Sequence, residues 1–153
     1  MIEIVPTEVA LDSTAIAAIF FKDPNSEVVS TAVRKFSRYR TLDLAFAEVG
    51  NVAWKRIVLF KEDRATSSQA LEAASGFITN SCTITESREL LPQALELGSK
   101  YGIPLYDSLF LALASESGTR LLTTDRLLHR KVSNIEELKN LTEVPTSGRT
   151  HGK

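Results

Sequence analysis

Soft metal ligands are almost missing from this chain: one cysteine, Cys82, and two histidines, His129 and His151. A lone cysteine excludes an internal disulfide framework and fits a reducing compartment. So few Cys and His residues also argue against a structural zinc site. No apolar run approaches the ~20 residues needed to cross a bilayer. The start "MIEIVPTEVALD" has neither the basic opening nor the long apolar stretch of a secretory signal. These absences predict a cytoplasmic protein without a membrane partner. An excess of charge of either sign is missing too, since the formal net charge is −1. Any nucleic acid must therefore be held by local basic patches rather than by an overall positive field.

What remains is an ordinary globular composition: 153 residues, 43% of them hydrophobic and 24% charged. That suits one domain with one core. There is no repeat and no low-complexity segment. Residues 1–144 are expected to form the domain, and the polar "PTSGRTHGK" (145–153) a flexible tail.

Along the chain, "TEVALD" (7–12) reads as a strand and "STAIAAIFF" as the helix after it. Residues 25–39 look helical, with Val28, Ala32 and Phe36 recurring at spacing four. "YRTLDL" reads as a strand that runs into the amphipathic helix "AFAEVGNVAWKRIVLF". "RATSSQALEAASGFI" reads as a helix, "SCTIT" as a strand, and "SRELLPQALELGSKYG" as a helix stopped by Gly102. Pro104 opens the next helix, "TRLLTT" (119–124) is a strand, and "DRLLHRKV" starts a short helix. Strands alternating with helices predict an α/β fold: three layers, α/β/α, around a mainly parallel sheet of four or five strands.

Four acids stand in apolar surroundings. Asp107 heads "LFLALA", and Glu48 lies inside "LDLAFAEVGNVAW". Asp12 closes "EVAL" and Asp125 closes "RLLTT", both at strand carboxyl ends, where open parallel sheets bind ligands. Each also has a plainer explanation. Asp12 and Asp125 precede helices and suit N-caps; Asp107 suits the positive end of its helix. Glu48 shares a face with Asn51 and Lys55, which fits either a polar groove or an exposed side. If the four converge, two carboxylates at ~4 Å repel by roughly 4 kcal/mol at an effective dielectric of 20. A divalent cation relieves that, and all-oxygen ligation selects Mg²⁺ or Mn²⁺. Such a site suits phosphodiester hydrolysis. The hydroxyls of Ser13, Thr14, Thr123 and Thr124 are placed either to order waters and hold carboxylate rotamers or to serve as turn residues.

The order "LDST", "AEVGNVAWK", "PLYDSLFLALA", "LLTTD" resembles the PIN-domain nucleases, most of all the VapC-type toxins of toxin–antitoxin pairs, over roughly Val9 to Leu138. The resemblance implies a PIN-like fold and a metal site on Asp12, Glu48, Asp107 and Asp125, with supporting hydroxyls at Thr14 and Thr123. It further implies RNA cleavage with Mg²⁺ or Mn²⁺, a homodimer, and an antitoxin partner that blocks the site. The chain departs from the pattern in its late first acid. Asp125 is also followed not by a further acid but by Arg126, His129, Arg130 and Lys131.

Lys55, Arg126, Arg130 and Lys131, with the second patch "RKFSRYR" (34–40), are the candidates for holding RNA phosphates. Tyr39 and Tyr106 are candidates for stacking on bases. A solvated basic face and amphipathic core tyrosines are the competing readings. "STAIAAIFF" and the Val-rich face of 25–36 suit either a partner groove or plain core. Receiver-type phosphoryl-transfer domains carry an adjacent acid pair, and haloacid-dehalogenase-like phosphatases an Asp-x-Asp; neither appears here. The expectation is a metal-dependent endoribonuclease, the toxin of a type II pair. The alternatives are a catalytically weak PIN-like binding module or an RNA-processing or decay nuclease.

Overall fold

The computed structural model describes residues 7–146. The expected tail at 145–153 thus lies almost wholly outside the described residues. The chain runs β1 (Glu8–Leu11), α1 (Ser13–Phe20), α2 (Ser26–Val33), β2 (Arg38–Leu42), α3 (Leu44–Val58) and α4 (Arg64–Ser81). It continues through β3 (Cys82–Thr85), a 3₁₀ turn (Ser87–Leu90), α5 (Leu91–Tyr101), α6 (Leu105–Ser117), β4 (Leu121–Leu122), α7 (Arg126–Ser133) and β5 (Thr142–Glu143).

The five strands form one sheet of order β3-β2-β1-β4-β5, parallel throughout. β1 is its middle strand, with Ala10 opposite both Arg40 of β2 and Leu121 of β4. Val9, Ala10 and Leu11 are fully buried, as expected of a parallel strand covered on both faces. α1 to α4 pack as one group, and α4 rests on β2 and β3. α5 and α6 form the other group, with α6 lying across β1, β2 and β4. Residues Ser108 to Ala114 of α6 are all buried, the mark of a helix enclosed by its own protein. The expected three-layer α/β/α architecture is what the molecule has.

Several local expectations need correction. Residues 25–39 do not form one helix: α2 stops at Val33, and Tyr39 belongs to β2. The Tyr39 hydroxyl lies 3.0 Å from both the Val33 and Phe36 carbonyls, and its ring packs against Phe77. Tyr39 therefore closes the end of α2 instead of stacking on a base. The helix expected from Ser87 splits, because Pro92 enters the first turn of α5 and the preceding residues tighten into 3₁₀. The strand at 119–124 shrinks to two residues, and β5 is an edge strand that no sequence pattern announced. Ala15 to Ala18, Val29 and Val33 are buried and belong to the core, whereas Ile19, Phe20, Val28, Ala32 and Phe36 are only partly covered. Among the described residues no helix is long and apolar enough to cross a membrane.

α5 and α6 meet closely at Gly98. A Cβ there would lie 2.6 Å from the Ile103 carbonyl oxygen and 2.8 Å from Ser108 Oγ.

Candidate active site

Strand order reverses between β1 and β4: the chain leaves β1 toward β2 and β3 on one side, and β4 and β5 complete the other. A crevice opens at the carboxyl ends of such strands. Here it is a cleft of about 450 Å³, lined by Asp12, Glu48, Asp107 and Asp125 together with Ser13, Thr14, Asn51, Lys55 and Tyr106. Leu44, Ala47, Val52 and Phe110 supply its apolar wall. All four acids singled out in the sequence thus face one space.

Each arrives differently. Asp12 ends β1 and caps α1, its Oδ1 accepting from the Ala15 N–H at 3.0 Å and from the Thr14 hydroxyl at 2.6 Å. Asp125 follows β4 and caps α7, its Oδ1 accepting from the Leu128 N–H at 3.0 Å. The plain explanation, N-capping, is therefore true of both. On Asp125 it occupies one oxygen, and among the described residues no donor reaches the other; Asp12 is held by the Ala15 N–H and by the Thr14 and Thr123 hydroxyls. Glu48 comes from the middle of α3 and accepts a hydrogen bond from Ser13 Oγ. Asp107 sits in the first turn of α6, half-buried, with no side-chain hydrogen bond among the described residues.

Thr14 and Thr123 join the two central strand ends. Their hydroxyls lie 3.2 Å apart, Thr14 Oγ1 accepts from the Thr124 N–H at 2.9 Å, and Thr123 Oγ1 accepts from the Asp125 N–H at 3.0 Å. Thr14 lines the cleft, while Thr123 is fully buried behind it. Asp43, also at a strand end, is turned away: it accepts from the Ser87 N–H at 2.8 Å and the Ser87 hydroxyl at 2.6 Å, which holds its carboxyl below the usual range.

The electrostatics favour a cation. Burial pushes the Asp12 carboxyl up to about 6, against the pull of the Thr123 and Thr14 hydroxyls and the Ala15 N–H. Burial, and then the charges of Asp125 and Glu48, raise Asp107. Among the described residues no three ligating side chains are yet gathered tightly enough to grip an ion. The donor set nevertheless fits a hard divalent cation: carboxylate oxygens only, mutually repelling, two of them reluctant to ionise without one.

The candidate RNA-binding cations separate. Lys55 lines the cleft beside the acids, as does the exposed Tyr106. Arg126, Arg130 and Lys131 do not line it, and Lys131 Nζ donates to the Gly102 carbonyl at 2.8 Å. His129 Nδ1 lies 2.7 Å from the Thr142 hydroxyl, which explains it as a tie between α7 and β5. In the second patch, Arg40 is paired with Glu8 at 2.8 Å. In the sequence Asn51 stands out as a neighbour on Glu48's face and within the "AEVGNVAWK" block, and Ser13 as one hydroxyl among several. The signal for both was adjacency to an acid at helical or sequential spacing.

Comparison with known proteins agrees with this geometry. The family model described as "PIN domain" matches residues 9–133, a span that contains all four acids. Ribonuclease VapC3 of Pyrobaculum aerophilum is 37% identical over 126 residues, which cover 81% of this chain and 94% of that one. Exonuclease VapC9 of the same organism is 25% identical over 136 residues, 89% and 94% of the two chains. The crystal structure of PAE2754 from Pyrobaculum aerophilum superposes with a TM-score of 0.63 at 26% identity, over 82% of this chain and 79% of that one. VapBC2 from Rickettsia felis, bound to a DNA fragment from their promoter, gives a TM-score of 0.61 at 13% identity, over 91% and 99%; at that identity it speaks for the fold alone. With the matched span, the sheet order and the relatives in agreement, the chain belongs to the PIN-domain family.

Proposed function

We propose that this protein is a divalent-metal-dependent endoribonuclease, the toxin of a type II toxin–antitoxin pair, with its nuclease domain in residues 1–144. The observation that carries the reading is Asp107: a half-buried carboxylate without a hydrogen-bond donor among the described residues, facing Asp125 and Glu48 across a cleft at the sheet's switch point. An uncompensated carboxylate there is costly unless it meets a cation. The names of the ribonuclease and exonuclease relatives support the nuclease class.

Asp12, Glu48, Asp107 and Asp125 would hold Mg²⁺ or Mn²⁺, which when bound activates water and offsets charge on the scissile phosphate. Around the acids, the Thr14 and Thr123 hydroxyls fix the two central strand ends. Lys55 faces a phosphate of the RNA, and Asn51 and Tyr106 offer an amide and a ring to a neighbouring base. The apolar wall of Leu44, Val52 and Phe110 keeps the acids partly dry, which strengthens each charge interaction in the cleft. An antitoxin and a second copy of the chain are the proposed partners. The exposed Trp54, Leu59 and Phe60 at the end of α3 provide apolar surface for one of them.

The decisive experiment is RNA cleavage with Mn²⁺ by the native chain and by Asp107→Asn, paired with melting curves with and without the ion. Loss of cleavage and of the Mn²⁺-induced melting shift, with the fold intact, supports the reading. Full activity in Asp107→Asn removes that residue from the mechanism. A native chain that neither responds to Mn²⁺ nor cleaves RNA is instead a binding module.

A further inference from the structure

We infer that Ser13 is a positioning residue of the acid cleft: its hydroxyl sets the rotamer of Glu48 so that the glutamate presents its free oxygen to the divalent cation. This rests on the reading of Asp12, Glu48, Asp107 and Asp125 as that cation's ligands.

Ser13 is the first residue of α1, is 7% exposed and lines the cleft. Its Oγ donates to Glu48 Oε1, a bond between residues 35 positions apart in the chain. The bond is not explained by the needs of α1. A serine at a helix start ordinarily serves the orphaned backbone N–H groups, but in α1 that work falls to Asp12, which accepts from Ala15. The Ser13 hydroxyl is thereby left for Glu48.

Glu48 needs such a partner more than the other acids do. Asp12 and Asp125 are held by backbone N–H groups of their own helices, and each has only two side-chain torsions. Asp107 is equally short and springs from an enclosed helix. Glu48 has three torsions, projects from the interior of α3, and has no other hydrogen-bond donor among the described residues. Fixing a glutamate side chain only at the moment of ion binding costs rotamer entropy, and a tether made in advance removes most of that cost. The tether also begins one residue from Asp12, so it sets the spacing of two proposed ligands from different elements. Because it uses Oε1, Oε2 remains available. Partners that orient ligands in this way typically matter 10- to 100-fold for metal affinity or activity.

The test is isothermal titration calorimetry of Mn²⁺ into the full chain, comparing native, Ser13→Ala, Glu48→Ala and the double variant. Ser13→Ala should weaken Mn²⁺ about tenfold, while the metal-free chain stays folded and its melting temperature falls only by what one lost hydrogen bond costs. In the Glu48→Ala background the same change should cost nothing further, since the group it acts through is gone. Ser13→Cys is close to serine in size but a poor donor. It should show the same loss without opening space, and it replaces the alanine variant if that one fails to fold. Equal affinities for native and Ser13→Ala overturn the inference, as does an equal loss in both backgrounds. A native chain that takes up no Mn²⁺ at all removes the ligand reading itself, and the role of Ser13 with it.

Discussion

The Thr14 hydroxyl accepts the Thr124 N–H at 2.9 Å, and through that bond the end of β1 is fastened to the end of β4. The same hydroxyl donates to Asp12 Oδ1 at 2.6 Å. Thr14→Val keeps the shape and removes both bonds. It should lower stability by about 1.5–3 kcal/mol, on the scale of a lost hydrogen bond with a charged partner. It should also cut cleavage well beyond that of Thr14→Ser, which retains the hydroxyl. Urea unfolding and initial rates on one RNA substrate check both parts, and equal rates for Val and Ser would remove the hydroxyl from the site's construction.

Asp12 makes the metal-free protein sensitive to pH. Its carboxyl titrates near 6 in the folded state, raised from 3.8 chiefly by burial. The folded chain therefore holds a proton that the unfolded chain has released. That contribution to stability is complete below the unfolded value and is lost as pH rises through about 6. Asp12→Asn keeps an oxygen for the Ala15 N–H and removes the titration. Without divalent metal, the variant should exceed the native chain at pH 7 by roughly 2–3 kcal/mol, and near pH 4 by under about 1 kcal/mol. Saturating Mn²⁺ should shrink the gap at pH 7. Urea midpoints at the two pH values decide it; a constant difference would mean that Asp12 does not titrate in this window.

Lys55 stands on the cleft wall, exposed and one helical turn beyond Asn51. As a phosphate contact it adds to affinity without touching the chemical step. Lys55→Ala should raise KM several-fold, leave kcat nearly unchanged and flatten the salt dependence of binding by about one phosphate contact. Arg130→Ala, on α7 and away from the cleft, should change none of these. Matching effects from the two variants would place the RNA path elsewhere.

Gly98 lets α5 pack tightly against the start of α6 and the turn before it. An added methyl would meet the Ile103 carbonyl at 2.6 Å, a backbone atom, and the carbonyl of Gly98 already binds the Ile103 N–H at 3.0 Å. Gly98→Ala should destabilise by about 1–3 kcal/mol despite its better helix propensity. Because α6 carries Asp107, cleavage should fall as well. An unchanged urea midpoint would show that the two helices separate at no cost.

The acids were legible in the sequence because each broke a local apolar pattern: Asp107 before a buried run, Glu48 inside a helix, Asp12 and Asp125 at strand ends. The alternation of elements gave away the layered sheet for the same reason, since buried parallel strands are short and apolar. Other features depended on tertiary contact and left no local trace. β5 is two residues of ordinary composition whose pairing with β4 exists only through the sheet. Tyr39 continued a helical spacing in sequence but was drawn into β2, where its hydroxyl reaches two carbonyls of the preceding turn. The basic residues of α7 looked close to the site because they follow Asp125 in the chain. The helix carries them past the cleft, and among the described residues Lys55, seven positions from Glu48 on α3, is the basic side chain that lines it.

The pairing of the two central strands also times the appearance of the cleft during synthesis. Thr14 and Thr123, whose hydroxyls join its two sides, are 109 positions apart. β4 can dock beside β1 only after α1 to α6 have emerged. A chain still on the ribosome thus carries Asp12 for most of translation without β4 and Asp125 beside it. Truncated products ending before Asp125 lack a complete acid set, so an interrupted message yields fragments without the cleft.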